Sequence, residues 1–211
     1  MTEQAKLRYD EGCLAAHALN LVGDRWALLV VREILLRPKR FQAIRAGLPG
    51  ITAAVLTARL HQLIAAGVAR HDSLDGTYGV TAGGQRLLPV LQAMCRWGAG
   101  APGHDPRRFI SPTALMISMT AMVRGAVGRG VTAGFDMGPE KFVQRLTGDG
   151  VLRVEAVTKI AADFTLTGDG NRLATAVYGP VPLVQMAEAG LIGVGGDAVA
   201  AQEFVGLFAL R

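Results

Sequence analysis

A mainly-α domain followed by an α+β domain is the fold class the sequence predicts, and three observations predict it. Residues 13–98 read as short helical segments, a polar hairpin and a further helix. Residues 98–112 are rich in Gly, Ala and Pro, which is linker composition. Beyond them, strand patterns come first and helical patterns after, the order of helices laid on one face of a sheet. The expected division is therefore 1–100, a linker at 101–112, and 113–211.

In the first segment Leu14, Ala18, Leu21 and Val22 recur at helical spacing. Gly23 ends that helix and Asp24 can cap the next, which carries Trp26, Leu29, Val30, Glu33, Ile34 and Leu36 and is stopped by Pro38. Phe41, Ile44 and Leu48 mark a short third helix. Thr52 is an N-cap for a fourth, whose inner stripe is Leu56, Leu60, Leu63 and Ile64. Its outer face holds Ala54, Thr57, Ala58 and His61, with Arg59 at the edge. Asp75-Gly76 is a hairpin signal between 68–71 and 77–80. Thr81 can cap a last helix through Trp97, which Pro89 either kinks or restarts.

That order is a winged helix-turn-helix, which sets one helix in a DNA groove. The fourth helix is the reading helix. Its face is small and mildly polar, so Ala and Thr methyls can meet thymine methyls, and DNA shape and half-site spacing carry much of the specificity. The DNA-contact candidates are Lys39, Arg40, Thr52, Ala54, Thr57, Arg59, His61, Arg70 and His71. Lys39 and Arg40 suit phosphates; Arg59 suits a phosphate or a guanine, with an ion pair to Glu33 as the rival reading. Charge agrees with this division: residues 1–110 hold 14 Lys and Arg against 8 Asp and Glu, whereas 111–211 hold 8 against 9.

Residues 13–98 resemble the HxlR-type transcriptional regulators, a bacterial winged-helix family. The resemblance rests on Cys13, Leu21-Val22-Gly23-Asp24-Arg25-Trp26, Arg32-Glu33, Arg40-Phe41 and Leu48-Pro49-Gly50-Ile51-Thr52. It continues through Leu56-Thr57-Ala58-Arg59-Leu60, Leu63-Ile64-Ala65-Ala66-Gly67-Val68, Tyr78, Val80-Thr81, Gly84 and Leu88-Pro89-Val90-Leu91. It implies a homodimer that binds double-stranded operator DNA through the helix from Thr52. It also implies a redox or electrophile-sensing role for a Cys in the position of Cys13, where a helix start favours the thiolate. The wing departs from the family pattern: between Asp72 and Tyr78 there is no Lys, Arg or Pro, so strong wing contacts are not expected.

Past the linker, Ser111-Pro112 opens a helix along which Met116, Met119 and Met122 recur. Strands are predicted at 131–135, 141–146, 151–157 and 161–167, and helices at 171–178, 183–189 and 198–208. Gly193-Val194-Gly195-Gly196 before the last helix reads as a strand-to-helix turn or an anion cradle. The run Ala162-Asp163-Phe164-Thr165-Leu166-Thr167-Gly168-Asp169, the run from Met186 to Asp197, and Phe204-Val205-Gly206-Leu207-Phe208 are similar to the sterol-carrier-protein-like fold. That resemblance implies an apolar cavity. Met116, Met119, Phe135, Phe164, Met186, Phe204 and Phe208 are its expected lining, with ordinary core as the rival reading.

Several function classes find no support. His17, His61, His71 and His104 are dispersed, with no metal-binding spacing and no nucleophile elbow, so neither an enzyme nor a metal or organic cofactor is expected. The uncharged runs 109–123 and 173–187 hold 15 residues each and contain Pro, short of the about 20 a membrane span needs. Two Cys make no disulfide framework, and Met1–Glu11 is polar, so a cytoplasmic protein with no membrane partner is expected. The expected function is a dimeric DNA-binding regulator controlled by a hydrophobic small-molecule effector. A thiol switch using Cys13 and a carrier for hydrophobic molecules are the alternatives.

Overall fold

The computed structural model describes residues 8–125 and 130–210, so the start of the polar opening stretch lies outside the described residues. The chain forms two compact units, 1–87 and 88–211.

The first unit contains α1 (Leu14–Val22), α2 (Ala27–Leu35), β1 (Lys39–Arg40), α3 (Phe41–Ala46), α4 (Ala53–Ala65), β2 (Ala69–Asp72), β3 (Thr77–Val80) and α5 (Ala82–Gln85). Its core is Val30, Val31 and Ile34 of α2, Ile44 and Leu48, and Leu56, Leu60 and Leu63 of α4. Fully burying each Leu contributes about 1.5–3 kcal/mol, which fixes which side of α4 turns inward. Asp24 Oδ1 accepts from Trp26 N at 3.1 Å, and Thr52 and Thr81 side chains accept from Val55 N and Gly84 N. β2 and β3 form an antiparallel hairpin, with Gly76 at φ 71° in its turn.

Three details differ from the sequence reading. The stripe expected on α1 is buried only at Val22: Leu14, Ala18 and Leu21 are exposed, and Ala16 joins Val22 on the inner side. Ile64 also reaches the surface. Residues 39–40 form a strand, paired with β3 through Lys39↔Tyr78 and Arg40↔Thr77.

The second unit contains α6 (Leu88–Gly100), α7 (Pro112–Met122), β4 (Val131–Met137), β5 (Glu140–Leu146), β6 (Leu152–Val157), β7 (Phe164–Thr167), α8 (Gly170–Tyr178), α9 (Leu183–Glu188), β8 (Gly193–Gly196) and α10 (Ala198–Val205). Pro89 stands in the first turn of α6, so it restarts the helix rather than kinking it. α6 packs on α7, with Gln92 Nε2 donating to Thr120 Oγ1 at 2.9 Å. The compact units therefore divide before α6, whereas composition placed the limit after it.

The sheet order is β6-β5-β4-β7-β8; β4 and β7 run parallel and the other pairs antiparallel. Alternation sets its two faces. Val131, Ala133, Phe135 and Met137 of β4 share one face with their register partners Leu146, Gln144, Phe142 and Glu140, and α7 and α10 pack on the sheet. The opposite face carries the ion pairs Lys141–Asp136 and Arg145–Glu155. Gly193-Val194-Gly195-Gly196 is neither the turn nor the anion cradle expected of it: pairing with β7, including Leu166↔Val194, makes it the strand β8. Asp197 then caps α10 by accepting from Ala200 N at 2.9 Å. Among the described residues no single helix is long and apolar enough to cross a membrane.

Candidate nucleic-acid interface

α4 presents two opposite faces. Leu56, Leu60 and Leu63 lock one into the unit, and Ala54, Thr57, Ala58 and His61 on the other are all exposed. Thr52 Oγ1 accepts from Val55 N at 3.3 Å, satisfying an amide of the first turn. The outer face thus offers methyl groups, one hydroxyl and one imidazole to whatever approaches it.

A buried charge cluster ties together the elements that lead into α4. The Glu33 carboxylate on α2 is inaccessible to solvent. Its Oε1 accepts from Arg32 Nε and Nη2 at 3.0 and 2.8 Å, and its Oε2 accepts from Lys39 Nζ at 3.2 Å. Arg32 Nη2 also reaches the Gly47 carbonyl at 3.3 Å. The cluster joins α2, β1 and the turn that leads into α4. A Cβ on Gly47 would overlap the Glu33 carboxylate, so this position admits no side chain.

That geometry corrects two expectations. Lys39 is not a phosphate contact: its ammonium is buried on Glu33, with only 3% of the side chain exposed. Arg59 turns inward rather than outward. Its Nη1 pairs with Asp24 Oδ2 at 2.9 Å and donates to Gln62, and its Nε is buried without a hydrogen-bond partner. Its ion-pair partner is thus Asp24, not the Glu33 named from sequence.

Arg40, Arg70 and His71 are exposed, as is Arg45, which the sequence reading left out. His71 stacks on Tyr78 with ring centroids 4.4 Å apart. The wing tip is acidic: Asp75 Oδ1 accepts from Thr77 N and Oγ1 at 2.9 and 2.6 Å, which lowers the carboxyl below its ordinary value. Leu74 beside it is 97% exposed.

Cys13 is exposed at the start of α1. The backbone N–H groups of Ala16 and Ala15 lower its thiol below the ordinary value, as helix-start amides favour a thiolate.

Met116, Met119, Phe135, Phe164, Met186, Phe204 and Phe208, the expected lining of a ligand chamber, are all buried in the second unit. Phe204 meets Phe208, Phe164 and Phe135 at centroid distances of 5.1, 5.5 and 6.5 Å, which is aromatic packing distance. An open groove of about 480 Å³ lies elsewhere in the unit, among α9, β8 and α10, and none of the seven lines it.

The model of the HxlR-like helix-turn-helix family matches residues 21–105. The HTH-type transcriptional regulator YvaP of Bacillus subtilis is 33% identical over 85 residues, covering 38% of this chain and 79% of that protein. This chain belongs to the HxlR-like helix-turn-helix family. A second family relative, the HTH-type transcriptional regulator sll1512 of Synechocystis, is 33% identical over 92 residues, covering 41% of this chain and 68% of that one. Among solved structures, quinone-bound YodB from Bacillus subtilis is 30% identical, covering 40% of this chain and 93% of that chain with a TM-score of 0.37. The family match takes in α2 to α6, and hence the Glu33 cluster and the exposed face of α4.

Proposed function

We propose that this chain is a cytoplasmic, homodimeric, DNA-binding transcriptional regulator, not an enzyme. It sets the outer face of α4 into the major groove of operator DNA. One observation carries the reading: in a member of a helix-turn-helix family, α4 exposes Ala54, Thr57, Ala58 and His61 while its other side is anchored by three fully buried Leu. Small side chains allow close approach, and their methyls favour thymine contacts. Arg40, Arg45 and Arg70 supply phosphate neutralisation around it.

Homodimer formation is supported by apolar side chains that a single chain leaves open: Leu14, Leu19 and Leu21 on α1, and Val90, Met94 and Trp97 on α6. A twofold dimer matches palindromic half-sites. We assign the DNA-binding and dimerisation module to 1–100 and a sterol-carrier-protein-like, effector-binding module to 113–211. The layer of helices over one face of a mixed sheet supports the second assignment.

The test is fluorescence anisotropy of the intact chain with DNA from upstream of its own gene, across a salt series. Binding is expected to weaken steeply with salt, and Thr57→Glu is expected to abolish it without changing the melt, since Thr57 is exposed. Wild-type affinity in Thr57→Glu would exclude α4 as the reading helix.

A second reading is favoured by one specific feature, the exposed Cys13 with its lowered thiol. In this reading an oxidant or electrophile acts at Cys13 and releases DNA. Diamide treatment of wild type and Cys13→Ser separates the two readings, because the effector route does not need the thiol.

A further inference from the structure

The groove among α9, β8 and α10 is built from the sides of the helices that the core does not use. Leu183 and Met186 of α9, and Ala200, Ala201, Phe204 and Val205 of α10, point into the unit. Val184 and Ala187 of α9, Ala198, Val199, Gln202 and Glu203 of α10, and Val194 of β8 line the groove instead, with Leu183 at its base. Val184 is 60% exposed and Val199 70%, an unusual apolar display for surface helices. The volume, about 480 Å³, is in the range that holds one small organic molecule.

The polar side chains of this wall are two, Gln202 and Glu203, and Glu203 is its one charged residue. Gln202 spends its carbonyl oxygen on Leu183 N at 2.8 Å, which ties the two helices together. Glu203 makes no side-chain hydrogen bond or ion pair among the described residues. From 179 to 210 the chain carries Glu188, Asp197 and Glu203 and no Lys, Arg or His; the neighbouring cation, Arg172 of α8, reaches the Leu191 carbonyl at 3.5 Å and pairs with Asp169 at 3.4 Å, and it does not line the groove. The positive end of α10, which would oppose a cation, is covered by the Asp197 carboxylate bonded to Ala200 N. An apolar trough in an acidic stretch, with an unpaired carboxylate on its wall, complements an apolar body bearing one positive charge.

We infer that this groove binds a hydrophobic organic cation, such as an amphiphilic amine or a quaternary ammonium or phosphonium ion, with the apolar body against Val184, Val194 and Val199 and the charge beside Glu203. Acidic lipids and fatty acids are the wrong charge for it. The inference gives the effector half of the proposed function a chemical class and rests on that reading for its biological role. Binding measured without DNA tests the groove, and binding to DNA tests α4, so the two can fail separately.

Tetraphenylphosphonium and tetraphenylborate have the same shape and opposite charge, so they separate apolar fit from charge. Titration calorimetry of the intact chain is expected to show saturable binding of the phosphonium. Glu203→Gln should weaken it about two- to fivefold, the worth of an exposed ion pair. Val184→Arg, which puts a like charge into the trough, should weaken it more than about tenfold. Both positions are exposed, so the thermal melts should stay at the wild-type value. Absence of saturable phosphonium binding would overturn the inference. So would phosphonium binding that ignores both variants, or borate binding of equal strength that Val184→Arg does not strengthen.

Discussion

Replacing Glu33 by Ala removes a carboxylate that is fully inside the first unit and leaves Lys39 with 3% of its side chain exposed and its Oε2 partner gone. Breaking a buried ion pair from one side costs about 3–5 kcal/mol, because the remaining charge stays buried with its carboxylate gone. Arg32, at 21% exposure, can turn toward water, so the lower end, about 3 kcal/mol, is the expected loss. For a unit of this size 1 kcal/mol moves the midpoint by about 4–8 °C, so the first unit should melt more than about 10 °C lower. Trp26 fluorescence in a Trp97→Phe background reports that unit separately. The double change Glu33→Met with Lys39→Met removes both charges together and should recover most of the loss. A Glu33→Ala midpoint within a few degrees of wild type would refute the buried brace. So would a double variant that is no better than the single one.

Arg59→Ala and Asp24→Asn should each lower stability by about 0.2–1 kcal/mol, seen by urea unfolding, and weaken DNA binding only to that extent; a large affinity loss in a fully stable Arg59→Ala would return Arg59 to the DNA interface. Arg40→Ala should weaken binding to all sequences alike and reduce the salt slope by about one, which anisotropy at several salt concentrations reads directly; a loss confined to one base pair would contradict the phosphate role. For Cys13, whose thiol is lowered in the folded chain by the amides of Ala15 and Ala16, the thiolate appears at lower pH when folded than when unfolded. In a Cys95→Ser background the midpoint of the iodoacetamide rate against pH should therefore move upward in urea, and identical midpoints would remove the basis of the thiol reading.

Local chemistry made most of the fold legible. Thr52, Thr81 and Ser111 are caps whose side chains close the first turn of the next helix, and the Ser111-Pro112 pair marks α7 to the residue. The alternating strands β4 and β5 were legible because one face of the sheet is buried and the other is charged. β8 was not, since Gly at three of its four positions carries no alternation and only its pairing with β7 creates it. β1 was hidden for a similar reason, being two residues long beside a Pro.

At the candidate interface, the outer face of α4 followed from helical spacing alone. Lys39 and Arg59 did not, because sequence gives a cation's distance from a carboxylate only along the chain. Glu33, six residues from Lys39, draws it inward through the two-residue strand. Asp24 reaches Arg59 across 35 positions of sequence. The groove was missed because its lining residues share helices with core residues, and periodicity singles out the core side first.

α6 falls within the family match at 21–105 yet packs with α7 in the second unit. Neither half can therefore be lifted out along the homology border without harm. A cut after residue 105 would bare the side of α6 that α7 covers and leave Gln92 without Thr120, and a cut before 113 would leave α7 without its neighbour. A exchange of either part for a foreign one would succeed only if the graft brought α6 and α7 together as a pair.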